Sequence, residues 1–151
     1  MAKPTTFRHI LVLVDGTDAS YHAADCAIEL ARALNAKLTA MAVVDTDTLR
    51  QLLSAKILVA SEMGELEKEL YESNKRHLAD VRERAMDRRV VPEEVLVAGN
   101  AEAVLPKEVE ERKVDLVVIG GFQSRQAIHD LLARQRQQIV DRAVVPILVV
   151  R

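Results

Sequence analysis

Two short stretches hold the residues best suited to chemistry. Val14-Asp15-Gly16-Thr17 and Ile119-Gly120-Gly121-Phe122-Gln123-Ser124 each end a run of branched aliphatic residues, the pattern of a buried strand running into a turn. Open parallel sheets bind ligands beyond the carboxyl ends of their strands, where the winding direction reverses. An acid followed by glycine at such a place can accept hydrogen bonds from an adenine amino group or a ribose hydroxyl, and Gly120 lets a ligand approach the backbone. Asp15 and Thr17 can equally do no more than shape the turn and cap the next helix. Other chemistry has no support. The chain lacks a Walker lysine after a glycine-rich loop, a GxGxxG after its first strand, a GxSxG elbow and an HExxH helix. His9, His22, His77 and His129 are scattered, and Asp18, His22 and Asp25 share a helix face only by ordinary spacing, which reads as a solvated face rather than a metal site. No nucleophile has a base beside it, so no catalytic residue and no metal ligand is nominated.

The elements that must position these stretches follow from periodicity. Five apolar runs, Ile10 to Val14, Leu38 to Val44, Val95 to Ala98, Leu116 to Ile119 and Ile147 to Val150, are continuous rather than alternating. Strands covered by helices on both faces read this way. The helix after the first run places Ala23, Cys26, Ala27, Leu30, Ala31 and Leu34 on one stripe of mostly small residues, with Thr17 or Asp18 as its cap and Asn35 at its end. Cys26 reads as core filler there. From Thr48 to Met86 the pattern predicts a short helical turn, a mobile loop near Gly64 and a long helix with Leu66, Leu70, Asn74, His77 and Val81 facing inward, His77 as a satisfied core residue. Asn100 caps the helix that carries Val104, Leu105 and Val109, and Pro106 should bend it. The last helix presents Ile128, Leu131, Leu132, Gln135 and Ile139. Strands alternating with helices make a three-layer α/β sandwich.

Composition bounds the rest. The 151 residues are 49% hydrophobic, which suits a single domain over residues 1–151. With 21 basic and 23 acidic residues the net charge is -2, and aromatics are only 3%, so neither a basic field nor stacking platforms exist for nucleic acid. The apolar runs are strand-sized, well under the roughly 20 residues of a membrane-spanning helix. A lone cysteine, Cys26, and a start without an apolar leader predict a cytoplasmic protein.

A family resemblance rests on the order of several pieces. Phe7-Arg8-His9-Ile10-Leu11-Val12-Leu13-Val14-Asp15-Gly16-Thr17, the Ala-rich first helix, Asn35-Ala36-Lys37-Leu38, Val43-Val44-Asp45, Asp115-Leu116-Val117-Val118-Ile119-Gly120 and Val145-Pro146-Ile147-Leu148-Val149-Val150 together resemble a universal stress protein nearly end to end. The resemblance implies an adenine nucleotide alpha-hydrolase-like fold with a five-stranded parallel sheet of order 3-2-1-4-5, setting the ends of strands one and four side by side. In nucleotide-binding members the positions of Asp15 and of the backbone near Val43 meet adenine. ATP-binding members also keep a glycine at the position of Gly120, another three residues on, and after nine more a glycine followed by Ser or Thr. This chain has Gln123, Ala133 and Arg134 at those later positions. Glycines let successive amides turn inward around phosphate, so Gln123 and Ala133 close that space, and a guanidinium at Arg134 does not restore a backbone cradle. The pattern resembles the UspA-like branch, which implies a non-enzymatic protein without a bound cofactor that acts through protein partners. The alternative it leaves open is ATP or AMP held by Asp15, Val43 and Gly120 as a switch.

The final run, Ile147 to Val150, predicts an apolar edge strand with no following residues to cover it, and such an edge needs a partner. A second copy paired antiparallel about a two-fold axis is the simplest one, and dimerisation through this strand is also what the resemblance implies. A signalling receiver domain shares the strand count, but here the third strand ends in Gly99-Asn100 rather than a phosphorylatable Asp.

Overall fold

Branched aliphatic runs become the five strands, and the small-residue helix lies directly on them. The computed structural model describes residues 6–121 and 137–151. Its elements are β1 (His9–Leu13), α1 (Asp18–Leu34), β2 (Lys37–Val44), α2 (Thr46–Ser54), α3 (Ala60–Asp87), β3 (Glu93–Ala98), α4 (Ala101–Arg112), β4 (Leu116–Gly120) and β5 (Ile147–Val150), with a helical stretch at residues 137–142 before β5. All pairings are parallel and the order is β3-β2-β1-β4-β5. The winding reverses between β1 and β4, as expected.

The sheet is buried on both faces because alternate residues feed two cores. Ile10, Val12 and Val14 join Ala24, Ala27 and Ile28 of α1 and Leu78, Val81 and Ala85 of α3 on one side. Leu11, Val117 and Ile119 join Leu105 and Val109 of α4 and Ile139 of the 137–142 stretch on the other. This is the three-layer arrangement that the alternation of elements predicts.

Several local expectations change. The buried line of α1 runs through Ser20, Ala23, Ala24, Ala27, Ile28 and Ala31, so the helix is rotated about one residue from the predicted stripe. Ile28 has the larger shape to bury and takes the central place, which moves Cys26 to a half-buried flank rather than the core. Gly64 is not in a loop. It lies inside α3, which starts at Ala60, while residues 55–59 make the actual break after α2. Open space surrounds Gly64, so the helix tolerates it at a propensity cost of about 1 kcal/mol. Helix α4 continues through Pro106 without interruption. Of the predicted last helix, Ile139 is buried, whereas Ile128, Leu131, Leu132 and Gln135 lie outside the described residues.

Candidate strand-end site

The turn after β1 is built by its own side chains. Gly16 has φ +82°, a left-handed conformation that glycine adopts without strain. The Asp15 carboxylate Oδ1 accepts from the Thr17 N–H (3.0 Å) and the Thr17 hydroxyl (2.6 Å). Thr17 Oγ1 in turn accepts from the Ser20 N–H (3.1 Å), which makes Thr17 the N-cap of α1. These bonds realise the turn-shaping role of Asp15, which is itself exposed.

Gly120 lies at the end of β4, next to this turn, and the close approach it permits is taken by the protein itself. A Cβ there would sit 2.7 Å from the Ala19 carbonyl carbon and 2.8 Å from the Ser20 nitrogen, both backbone atoms of α1. The first turn of α1 is thus packed onto the strand end. Gly121 donates its N–H to the Val150 carbonyl (2.6 Å), tying the same strand end to β5.

Val43 is half-buried near the end of β2, and its backbone direction follows from its neighbours. The Met41 carbonyl accepts from the Val14 N–H (2.8 Å) on the β1 side, and the Val44 carbonyl accepts from the Gly99 N–H (3.0 Å) on the β3 side. Alternation then directs the Val43 amide and carbonyl to the β1 side, one step past the last ladder bond. Asp15, Val43 and Gly120 are therefore grouped at one end of the sheet. Gln123, Ala133 and Arg134 lie outside the described residues. Among the described residues no group of three His, Cys, Asp or Glu side chains is placed to hold a metal ion, and Asp18, His22 and Asp25 are all exposed.

His77 is the residue that sequence reasoning misjudged. The Nδ1–Cε1–Nε2 edge of its ring lies against Gly16, so close that a Cβ on Gly16 would be 2.3 Å from Cε1. Its ring meets Tyr21 edge to face, with centroids 6.4 Å apart. Nδ1 is buried and makes no hydrogen bond among the described residues, so the ring is not the satisfied core group its helical position predicts. Below it α3 is fastened to α1 by Tyr21 Oη donating to Asp80 (3.1 Å), by Arg84 paired with Asp25 (2.9 Å) and by Arg88 paired with Glu29. Arg84 also stacks 4.7 Å over the Tyr21 ring. Burial, and then the bond to Asp80, raise the Tyr21 hydroxyl above the ordinary tyrosine value. The signal for this seam was present as matched four-residue steps, 21, 25 and 29 against 80, 84 and 88, with opposite charges on the last two pairs.

Comparison with known proteins agrees with this geometry. The model of the universal stress protein family matches residues 6–151. Universal stress protein YxiE of Bacillus subtilis (strain 168) is 25% identical over 150 residues, covering 96% of this chain and 99% of that protein. A universal stress protein family structure from Burkholderia pseudomallei superposes with a TM-score of 0.75 at 23% identity, covering 98% of each chain. A universal stress protein solved in complex with cAMP gives a TM-score of 0.70 at 22% identity, with 97% of this chain and 98% of that one covered. No helix among the described residues is long and apolar enough to cross a membrane.

Proposed function

The chain belongs to the universal stress protein family, and from that premise we propose that it is a UspA-like, non-enzymatic homodimer of the cytoplasm that acts through protein partners. One observation carries this reading. The groups that offered a ligand something at the strand ends already serve the chain: Asp15 Oδ1 holds Thr17, and the open side of Gly120 is filled by the α1 backbone. Gln123 and Ala133 stand where the phosphate cradle of ATP-binding relatives needs glycine, which adds to it. The dimer is supported by β5, which among the described residues pairs with β4 on one side only and whose Val149 is 41% exposed. An apolar edge of this kind is protected by pairing with its own copy.

A second reading keeps an adenine monophosphate at Asp15, Val43 and Gly120. The direction of the Val43 backbone groups favours it, as does the likeness to a relative solved with cAMP. Calorimetric titration with ATP and with AMP separates the two. The first reading expects no heat of binding with either nucleotide at concentrations up to about 1 mM, and AMP binding abolished by Asp15→Ala would replace it with the second. Light scattering of the wild type should give twice the chain mass and Val149→Lys should give the monomer. A wild-type monomer would remove the dimer from the proposal.

A further inference from the structure

We propose that His77 is a positioning residue for the strand-end turn: by resting on Gly16 it makes α3 and the Asp15-Gly16-Thr17 turn one mechanical unit. This goes beyond the reading above and holds whether or not a nucleotide binds. The three fastenings between α1 and α3 step up both helices by four residues at a time, which keeps the two helices in register along one seam. His77, three residues before Asp80, continues that seam by about one helical turn toward the carboxyl ends of the strands. There the partner changes from a side chain to the Cα of Gly16, because no other residue leaves room for the ring.

The contact works by shape. Among the described residues Nδ1 has no hydrogen-bond partner, so that nitrogen does not hold the ring, whereas the fit against Gly16 and the edge contact with Tyr21 do. Gly16 is also the residue whose left-handed backbone aims Asp15 at Thr17. A ring that blocks Gly16 from moving therefore holds the Asp15 carboxylate and the α1 cap in place together. A shift of α3 along α1 has to withdraw the ring, and the turn is then free to change.

Amide hydrogen exchange on the intact protein tests this. His77→Ala should accelerate exchange at Thr17, Ser20 and Tyr21, whose N–H groups bond within the turn, by at least about tenfold, since a local opening of that size needs only a small part of the global stability. Exchange at Lys37 and Asp115, at the opposite end of the sheet, should stay within about twofold of wild type. His77→Phe keeps a flat ring without nitrogens and should preserve the slow exchange of the turn. Should His77→Ala not fold, His77→Leu supplies the same comparison with the volume largely retained, and the turn amides should again accelerate selectively. Equal acceleration at both ends, no acceleration at the turn, or a Phe variant as fast as the Ala or Leu variant would each overturn the proposal.

Discussion

The two ends of the sheet are built on opposite plans. At the amino ends buried polar groups are paired. His9 is 6% exposed, and its Nδ1 lies 2.9 Å from the Arg112 carbonyl while Nε2 lies 2.7 Å from the Thr39 hydroxyl. A carbonyl can only accept, so Nδ1 carries a proton, and in the neutral ring Nε2 then accepts from the Thr39 hydroxyl. The Asp115 carboxylate takes the N–H groups of Arg8 (2.9 Å) and His9 (3.0 Å), joining the start of β1 to the start of β4. At the carboxyl ends the sequence instead places four of its five glycines: Gly16, Gly99, Gly120 and Gly121. One end gains stability from satisfied polar groups in a dry setting, and the other gains close backbone approach. The lesson is that paired side chains across strands fasten the end away from the candidate site, whereas close backbone contacts hold the site end.

Breaking the fastened end should have the largest effect. His9→Ala removes a buried ring and leaves the Thr39 hydroxyl and the Arg112 carbonyl without partners, which should cost about 3 kcal/mol in urea unfolding. A loss below about 1 kcal/mol would mean that the network stabilises little and that the contrast between the ends is only one of appearance. At the carboxyl ends Gly120→Ala should cost about 2 kcal/mol, because the added Cβ meets backbone that cannot swing aside. If Gly120→Ala is neutral, the strand end is looser than this packing implies. The smallest effect concerns pH. The Arg112 guanidinium bonded to Glu93 holds that carboxyl below its usual value of 4.5, against the opposing effect of its burial. A group whose folded pKa is lowered adds stability above about 4.5 that is lost as pH falls through the folded value. Glu93→Gln should therefore flatten the stability profile slightly below that pH and change little at neutrality, because the pair is largely solvated. A neutral-pH loss as large as that of His9→Ala would show the pair to be part of the fastening itself.

Much of the fold is legible in the chain because it depends on neighbours in sequence. The aliphatic runs become β1 to β5 within a residue or two, Thr17 and Asn100 cap their helices, and Asn35 closes α1 in the left-handed conformation expected of a helix end. The position of Asp15 at a strand end was readable for the same reason. The rotation of α1 was not, since a helix of many alanines offers several nearly equal stripes and the packing against β1 and β4 selects one. The role of Gly120 was readable only in part: glycine announces a close approach without saying whether a ligand or a helix makes it.

The amino-acid order alone determined the strand and helix succession, the caps and the glycine-bearing turns, because hydrogen bonds and side-chain clashes between residues a few positions apart decide them. Tertiary structure alone decided that His77 meets Gly16, that His9 joins Thr39 to Arg112, and that α1 fills the space beside Gly120. These contacts join residues that are up to about a hundred positions apart, as His9 and Arg112 are, and they arise only when helices and sheet settle at a definite distance and rotation. No local preference in the chain encodes that distance.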